Sequence, residues 1–309
     1  MIDYAALRAV AAVVRTGSFE RAAASLHVTP SAISQRVKHL EERLGAVLIE
    51  RGTPCTATDK GLALCRHMDR VGMLEKDLME QLPEFSGSEG AAQRVTVNVA
   101  TNADSLGTWF LEAIASFTRT TDYLVNVAID DEDHTADWLR RGRVLAAVTS
   151  LERPVQGCRV TPLGSLSYLA TASPDFVARY FPQGLTEEAF QRAPALTFNQ
   201  KDRLQNVWAR EVFGHDLAFP THWLPSTQSF LEGSLAGMGW ALNPFQLARH
   251  HLDRGELVEL VPGKVLERRL FWQINRLAAD QLHELSRSIL AVARRDLESR
   301  ERDPQGAAE

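Results

Sequence analysis

Residues 18–44, SFERAAASLHVTPSAISQRVKHLEERL, read as two short amphipathic helices joined by a tight turn. Phe19, Ala22, Ala23 and Leu26 recur three and four apart and make one apolar stripe, with Ser18 as the N-cap. Alanine at Ala22, Ala23 and Ala24 lets two steeply crossing helices approach closely. After the turn at His27-Val28, Thr29 can cap free backbone N–H groups, and Pro30 opens the second helix where its missing N–H costs nothing. Ala32, Ile33, Val37, Leu40 and Leu44 form the inward face of that helix. Ser31, Ser34, Gln35, Arg36 and Lys38 point outward, and these side chains bond base edges and phosphates. Ser31, Ser34 and Gln35 occupy the N-terminal half that enters a major groove, together with Thr29 and Pro30 at the helix start, where the dipole attracts phosphate. Lys38 lies farther along, where backbone contact is expected. The pattern is a helix-turn-helix, and double-stranded DNA is the first partner to test.

The alternative for any amphipathic pair is a solvated surface helix in an all-α domain, but the next segment favours DNA. Gly45 is followed by the apolar run Ala46-Val47-Leu48-Ile49 and then by Arg51, Pro54 and Thr56, a short strand and loop with the character of a wing. Arg51 is the basic side chain on it. Thr58 then caps a long helix expected over residues 59–82.

With FERAAASLHVTPSAISQRVKHLEERLGAVLIER followed by TATDKG, the chain resembles the LysR-type transcriptional regulators over the whole of their winged helix-turn-helix. The family often has glutamine where this chain has Pro30 and arginine where it has Gln35, so the resemblance implies the mode of docking and leaves the bases open. In the long helix, Leu64, Met68, Val71, Leu78 and Leu82 form a seam. A helix of that length with both ends reaching different domains pairs with a second copy more readily than with its own core. The resemblance implies the same, a dimer that meets a nearly symmetric site.

A length of 309 residues and an apolar fraction of 45% suit two soluble globular domains. No apolar run approaches membrane-spanning length and no leader pattern is present, so the expectation is a cytoplasmic protein with no membrane partner. Cys55, Cys65 and Cys158 are too few and too irregular for a disulfide framework or a zinc site, and neither metal nor cofactor is expected. Residues 1–60 carry a net charge of +2 and the remainder −7, as suits a small DNA-contacting module on a larger body that stays off DNA.

The stretch 83–93, PEFSGSEGAAQ, reads as a hinge. Beyond it, strands at VTVNVA (from Val95), YLVNVAID (from Tyr123) and VLAAVTS (from Val144) alternate with helices over about 105–118 and 135–141, which implies a parallel sheet. A second subdomain is expected to begin near Leu163, and the chain to return with LFWQINR from Leu270 and a last helix over about 280–297. The fold class is therefore α plus α/β. The expected parts are a winged helix-turn-helix over 1–58, a linker helix and hinge over 59–92, and a two-lobed effector domain over 93–309. Lobe I takes about 93–162 and 268–300, and lobe II about 163–267. The LysR-type family has this periplasmic-binding-protein-like architecture, and GSLAGMGWALNP and LDRGELVEL fit its pattern.

Ligand is expected at the carboxyl ends of the strands. Thr101, Asn102, Asp104 and Ser105 lie between a strand and a helix, where N–H groups and hydroxyls hold a carboxylate. Asp130, Asp131, Glu132 and Asp133 follow the next strand, either as a solvated acidic loop or as a site for an ammonium or guanidinium group. Ser150, Asp202 and the turn from Ser226 through Thr227 to Ser229 can complete the site, although Ser226 and Thr227 serve equally as a helix cap. Such a constellation suits a zwitterion with an extra cationic end. TNADSLGTWFLEAI and GSLSYLATASPDFVARYF are similar to the lysine- and arginine-sensing branch of the family. That resemblance implies a basic amino acid effector and control of a transport or metabolic gene, and the expected mechanism has dimers paired into tetramers through the ligand domains, with cleft closure changing RNA polymerase access. Lys201 beside the cleft bears on selectivity. Two other readings stay open, a LysR-type regulator of another small ligand and an α/β enzyme with an appended DNA-binding domain. No nucleophile elbow or phosphate-binding loop supports the enzyme, and His250-His251 read as surface residues.

Overall fold

The computed structural model describes residues 3–82, 94–130 and 134–297. The chain divides into two compact units, one of residues 1–98 with 122–126 and 140–145, the other of the remainder.

The first unit begins with α1 (Tyr4–Thr16), α2 (Phe19–Ser25) and α3 (Pro30–Leu44), followed by a hairpin of β1 (Ile49–Glu50) and β2 (Thr56–Ala57) and by α4 (Asp59–Gln81). Leu7, Ala9, Val10 and Val13 of α1 pack with Ala22, Ala23, Ile33, Val37 and Leu40 in one core. The caps follow the side-chain chemistry. Ser18 accepts from the N–H groups of Glu20 and Arg21, Thr29 accepts from that of Ala32, and Pro30 stands in the first turn of α3. Gly45 ends α3 in the left-handed region at φ +60°.

Several expectations need correction here. Ala24 is exposed, because it lies a further 100° round the helix from the buried Ala22 and Ala23. Leu44 is exposed too, since α3 outruns the core, which Leu48 and Ile49 close instead. Of the run 46–49 only Ile49 is in a strand, and Val47 is 62% exposed. The seam of α4 divides: Leu64 and Met68 pack on the helix-turn-helix core, as does Cys65, whereas Leu78 is 50% exposed, and Leu74 one turn before it, outside the expected seam, is 59% exposed. Gly61 explains how α4 reaches the wing, for a Cβ there would lie 2.1 Å from the Leu48 carbonyl oxygen. The 83–93 hinge and residues beyond 297 lie outside the described residues.

The remaining helices are α5 (Ala103–Ser105), which continues through a π-turn at Leu106–Phe110 into α6 (Leu111–Thr120), then α7 (Thr135–Arg140), α8 (Pro174–Tyr180), α9 (Glu187–Phe190), α10 (Leu204–Phe213), α11 (Thr227–Leu235), α12 (Phe245–Asp253) and α13 (His283–Leu297). The strands are β3 (Thr96–Thr101), β4 (Leu124–Ile129), β5 (Ala146–Thr149), β6 (Cys158–Ala172), β7 (Ala195–Thr197), β8 (Thr221–Trp223), β9 (Ala241–Pro244), β10 (Val258–Glu259) and β11 (Val265–Asn275). A seven-stranded sheet runs β10-β6-β11-β5-β3-β4, with β9 also on β6. It is mixed rather than parallel: β3 and β5 are parallel, but the returning β11 is antiparallel to both β5 and β6.

Leu163, where the second subdomain is expected to begin, lies inside a strand. β6 runs through that position and pairs with β11 from Val265↔Leu169 to Asn275↔Cys158, so β11 starts before the expected Leu270. These two long strands make the longest pairing of the sheet. Their register shifts between Leu270 and Phe271, opposite Gly164. Gly164 has φ +119°, and a Cβ there would lie 2.3 Å from the Leu297 carbonyl oxygen, so glycine lets the end of α13 dock. Phe190, Trp208 and Trp240 meet with ring centroids 5.4–6.0 Å apart. On α12, His251 pairs with Glu256 at 2.7 Å, a carboxylate partner that its sequence neighbours did not indicate.

Candidate functional site

Ser31, Gln35 and Lys38 form an exposed row along α3 at spacings of four and three, with exposed Thr29 and Pro30 at its start. Ser34 is half-buried beside the row. Arg36 is also half-buried and lines a groove with Tyr4, Arg8, Leu26, Val71 and Glu75, one helical step round from the row. Lys38 Nζ lies 3.7 Å from Glu42, an exposed pair that leaves the ammonium available to an anion. The Arg51 guanidinium sits over the Phe19 ring at 5.3 Å from its centroid, which seats the wing on α2.

The second candidate site is a cleft at the carboxyl ends of β3 and β4, lined by Asn102, Asp104, Asp130, Phe198, Asp202, Arg203, Leu204, Val207, Phe230 and Arg268. Asn102 caps the helix that starts at Ala103, accepting from the Ser105 N–H at 3.1 Å. The Asp104 carboxylate accepts from the Tyr168 hydroxyl at 2.8 Å and the Thr227 hydroxyl at 2.5 Å. Asp130 accepts from the Trp138 indole at 3.0 Å. Asp202 accepts from the backbone N–H groups of Phe198 at 3.1 Å and Leu204 at 2.9 Å, which folds the loop ahead of α10. Phe198, Leu204, Val207 and Phe230 supply an apolar wall.

Of the residues singled out from the sequence, Asn102, Asp104, Asp130 and Asp202 come together at this cleft, and Thr227 reaches it through Asp104. Thr101 and Ser105 are fully buried and do not line it, because the strand end and first helical turn direct them inward. Ser150 lies in the bend after β5 and is not among the lining residues. Asp131, Glu132 and Asp133 lie outside the described residues. Ser226 is the N-cap of α11, accepting from the Ser229 N–H at 3.3 Å. Lys201 is exposed and does not line the cleft; Arg203, two residues on, does. Arg203, Arg268 and the apolar wall escaped the sequence reading. Arg268 belongs to a strand whose expected start lay two residues later, and only its register with Leu166 on β6 brings it to the cleft.

Residues 4–62 match the family described as bacterial regulatory helix-turn-helix protein, lysR family, and residues 90–296 match the LysR substrate binding domain. The chain belongs to the LysR family. It is therefore a DNA-binding transcriptional regulator with a winged helix-turn-helix and a two-lobed effector domain. Among LysR-family relatives, it is 39% identical to the HTH-type transcriptional regulator LysG of Mycobacterium tuberculosis over 292 residues, 94% of each chain. The C-terminal domains of a LysR family protein from Agrobacterium tumefaciens superpose with a TM-score of 0.65 at 62% identity, covering 66% of this chain and 99% of that one. Full-length LysG from Corynebacterium glutamicum, with bound effector Arg, superposes with a TM-score of 0.65 at 32% identity, covering 96% of this chain and all of the other, 100%. Among the described residues no helix is long and apolar enough to cross a membrane.

Proposed function

We propose that this LysR-family regulator senses a basic amino acid, lysine or arginine, in the cleft and reads DNA with the Thr29–Lys38 segment of α3 and the Arg51 wing. The observation that carries the ligand reading is the set of three carboxylates, Asp104, Asp130 and Asp202, facing one cleft whose wall is apolar enough for a methylene chain. The C. glutamicum relative with bound Arg supports it. In this reading the molecule acts in the cytoplasm, with residues 59–92 linking a DNA-binding part over 1–58 to an effector part over 93–309. It dimerises through α4, pairs again into tetramers, and alters polymerase access when ligand changes the balance between two arrangements. Ligand shifts that balance only by its difference in affinity for them.

Calorimetric titration of the full chain with L-lysine, L-arginine, L-leucine and L-glutamate tests the ligand. Heat from the basic pair alone supports the reading. Binding of glutamate alone would favour the second reading, a dicarboxylic effector, which the two arginines of the cleft make the next to consider.

A further inference from the structure

We infer that Arg268 holds the effector's α-carboxylate, so that the cleft accepts basic amino acids and rejects the amines that lack that group. The inference rests on the basic amino acid reading above. A free amino acid entering a cleft surrenders the hydration of its carboxylate and needs a charged or multiply hydrogen-bonding partner there. A helix start is one such place, through its free N–H groups and dipole. Here that place already holds an anion. Asp104 lies in the first turn of the helix from Ala103, and the Tyr168 and Thr227 hydroxyls pin its carboxylate at 2.8 and 2.5 Å. A second carboxylate beside it would meet like charge from Asp104 and from Asp130, which lines the same cleft.

Among the described lining residues, the cationic groups are Arg203 and Arg268. Arg203 is exposed, in the loop that Asp202 folds ahead of α10. Arg268 is half-buried on β11, in register with Leu166 of β6 within the longest strand pairing of the sheet. A guanidinium fork presented from a rigid strand meets a carboxylate in bidentate geometry with little further ordering. The polarity of the site then follows: carboxylate toward Arg268, cationic groups toward Asp104 and Asp130. It reverses the orientation that a bare helix start would give.

The test titrates full-length protein with L-lysine and cadaverine, and with L-arginine and agmatine, for the wild type, Arg268→Gln, Arg268→Lys and Arg203→Gln. The wild type is expected to prefer each amino acid over its amine by about 30-fold or more. Arg268→Gln should weaken lysine by about that factor and leave cadaverine within about threefold, whereas Arg203→Gln should keep the preference. If Arg268→Gln does not fold by its melting curve, Arg268→Lys decides, since loss of the fork weakens lysine and spares cadaverine. An Arg268→Gln protein that retains the wild-type preference, or that loses lysine and cadaverine alike, overturns the inference while leaving the basic amino acid reading intact. A wild type that binds neither lysine nor arginine overturns both.

Discussion

The Thr227 hydroxyl donates a hydrogen bond to Asp104 Oδ1 at 2.5 Å across 123 residues of sequence. It ties the start of α11 to the start of the helix at Ala103, and the Tyr168 hydroxyl adds a second donor from β6. Such donors take the place of water around a part-buried carboxylate.

Thr227→Val keeps the shape of that side chain and removes the donor. Hydrogen bonds to charged groups contribute about 1.5–3 kcal/mol, so effector affinity should fall about tenfold or more. DNA binding without effector should stay unchanged. Calorimetry for the effector and fluorescence anisotropy for DNA check the two halves, and an unchanged effector Kd would show that Asp104 does not face the ligand.

The exposed row on α3 makes a separable prediction. Ser34→Ala with Gln35→Ala should cost about 1–3 kcal/mol of discrimination on DNA selected by the wild-type protein from a random pool, while effector binding holds. Lys38→Ala should instead weaken all sequences alike and lower the salt slope by about one. Joint loss of DNA and effector binding in the double variant would contradict the assignment of the two functions to different parts of the chain.

Much of the fold is legible in the sequence. The caps at Ser18, Thr29 and Thr58 and the αβ alternation are set by local chemistry, so residues a few positions apart declare them. What escaped the sequence depends on register between distant strands. β6 passes through Leu163 because β11 pairs with it on both sides of that position, and no local signal states how far the pairing runs. The same pairing carries Arg268 to the cleft, so the acidic half of the site was legible at strand ends and the cationic half was not. Thr101 and Ser105 had the right position along the chain and the wrong side of it, which is decided by packing beneath the sheet end.

Asp69 on α4 gives the first unit a pH dependence. Burial pushes its carboxyl up to about 6, although Arg15 pulls the other way, and the same burial pushes the neighbouring Cys65 thiol up to about 12. The folded unit thus holds a proton on Asp69 that the unfolded chain releases near the ordinary value of 3.8. Between those values the folded state binds more protons, so this group's contribution to stability falls as pH rises through about 6 and is lowest above it. Asp69→Asn, which cannot ionise, should stabilise the protein by about 2–3 kcal/mol at pH 8 and by little at pH 4. Urea unfolding at the two pH values measures it, and equal effects at both would mean that the carboxyl is not perturbed in the folded state.

The division of the α4 seam makes the last prediction. Leu64 and Met68 serve the chain's own core, but Leu74 and Leu78 stand 59% and 50% exposed on the same helix with Met79 beside them. Apolar residues four apart on a helix of 23 residues are the pattern that a second helix covers. A dimer through this stretch should dissociate on Leu74→Glu with Leu78→Glu, because each carboxylate would have to enter the contact unpaired. Sedimentation velocity should show a shift toward monomer, and DNA carrying two half-sites should lose affinity far more than DNA carrying one. The variant's melting temperature should stay near that of wild type at low concentration, since neither leucine belongs to the core of the fold. A double variant that sediments as wild type would place the dimer contact elsewhere on the chain.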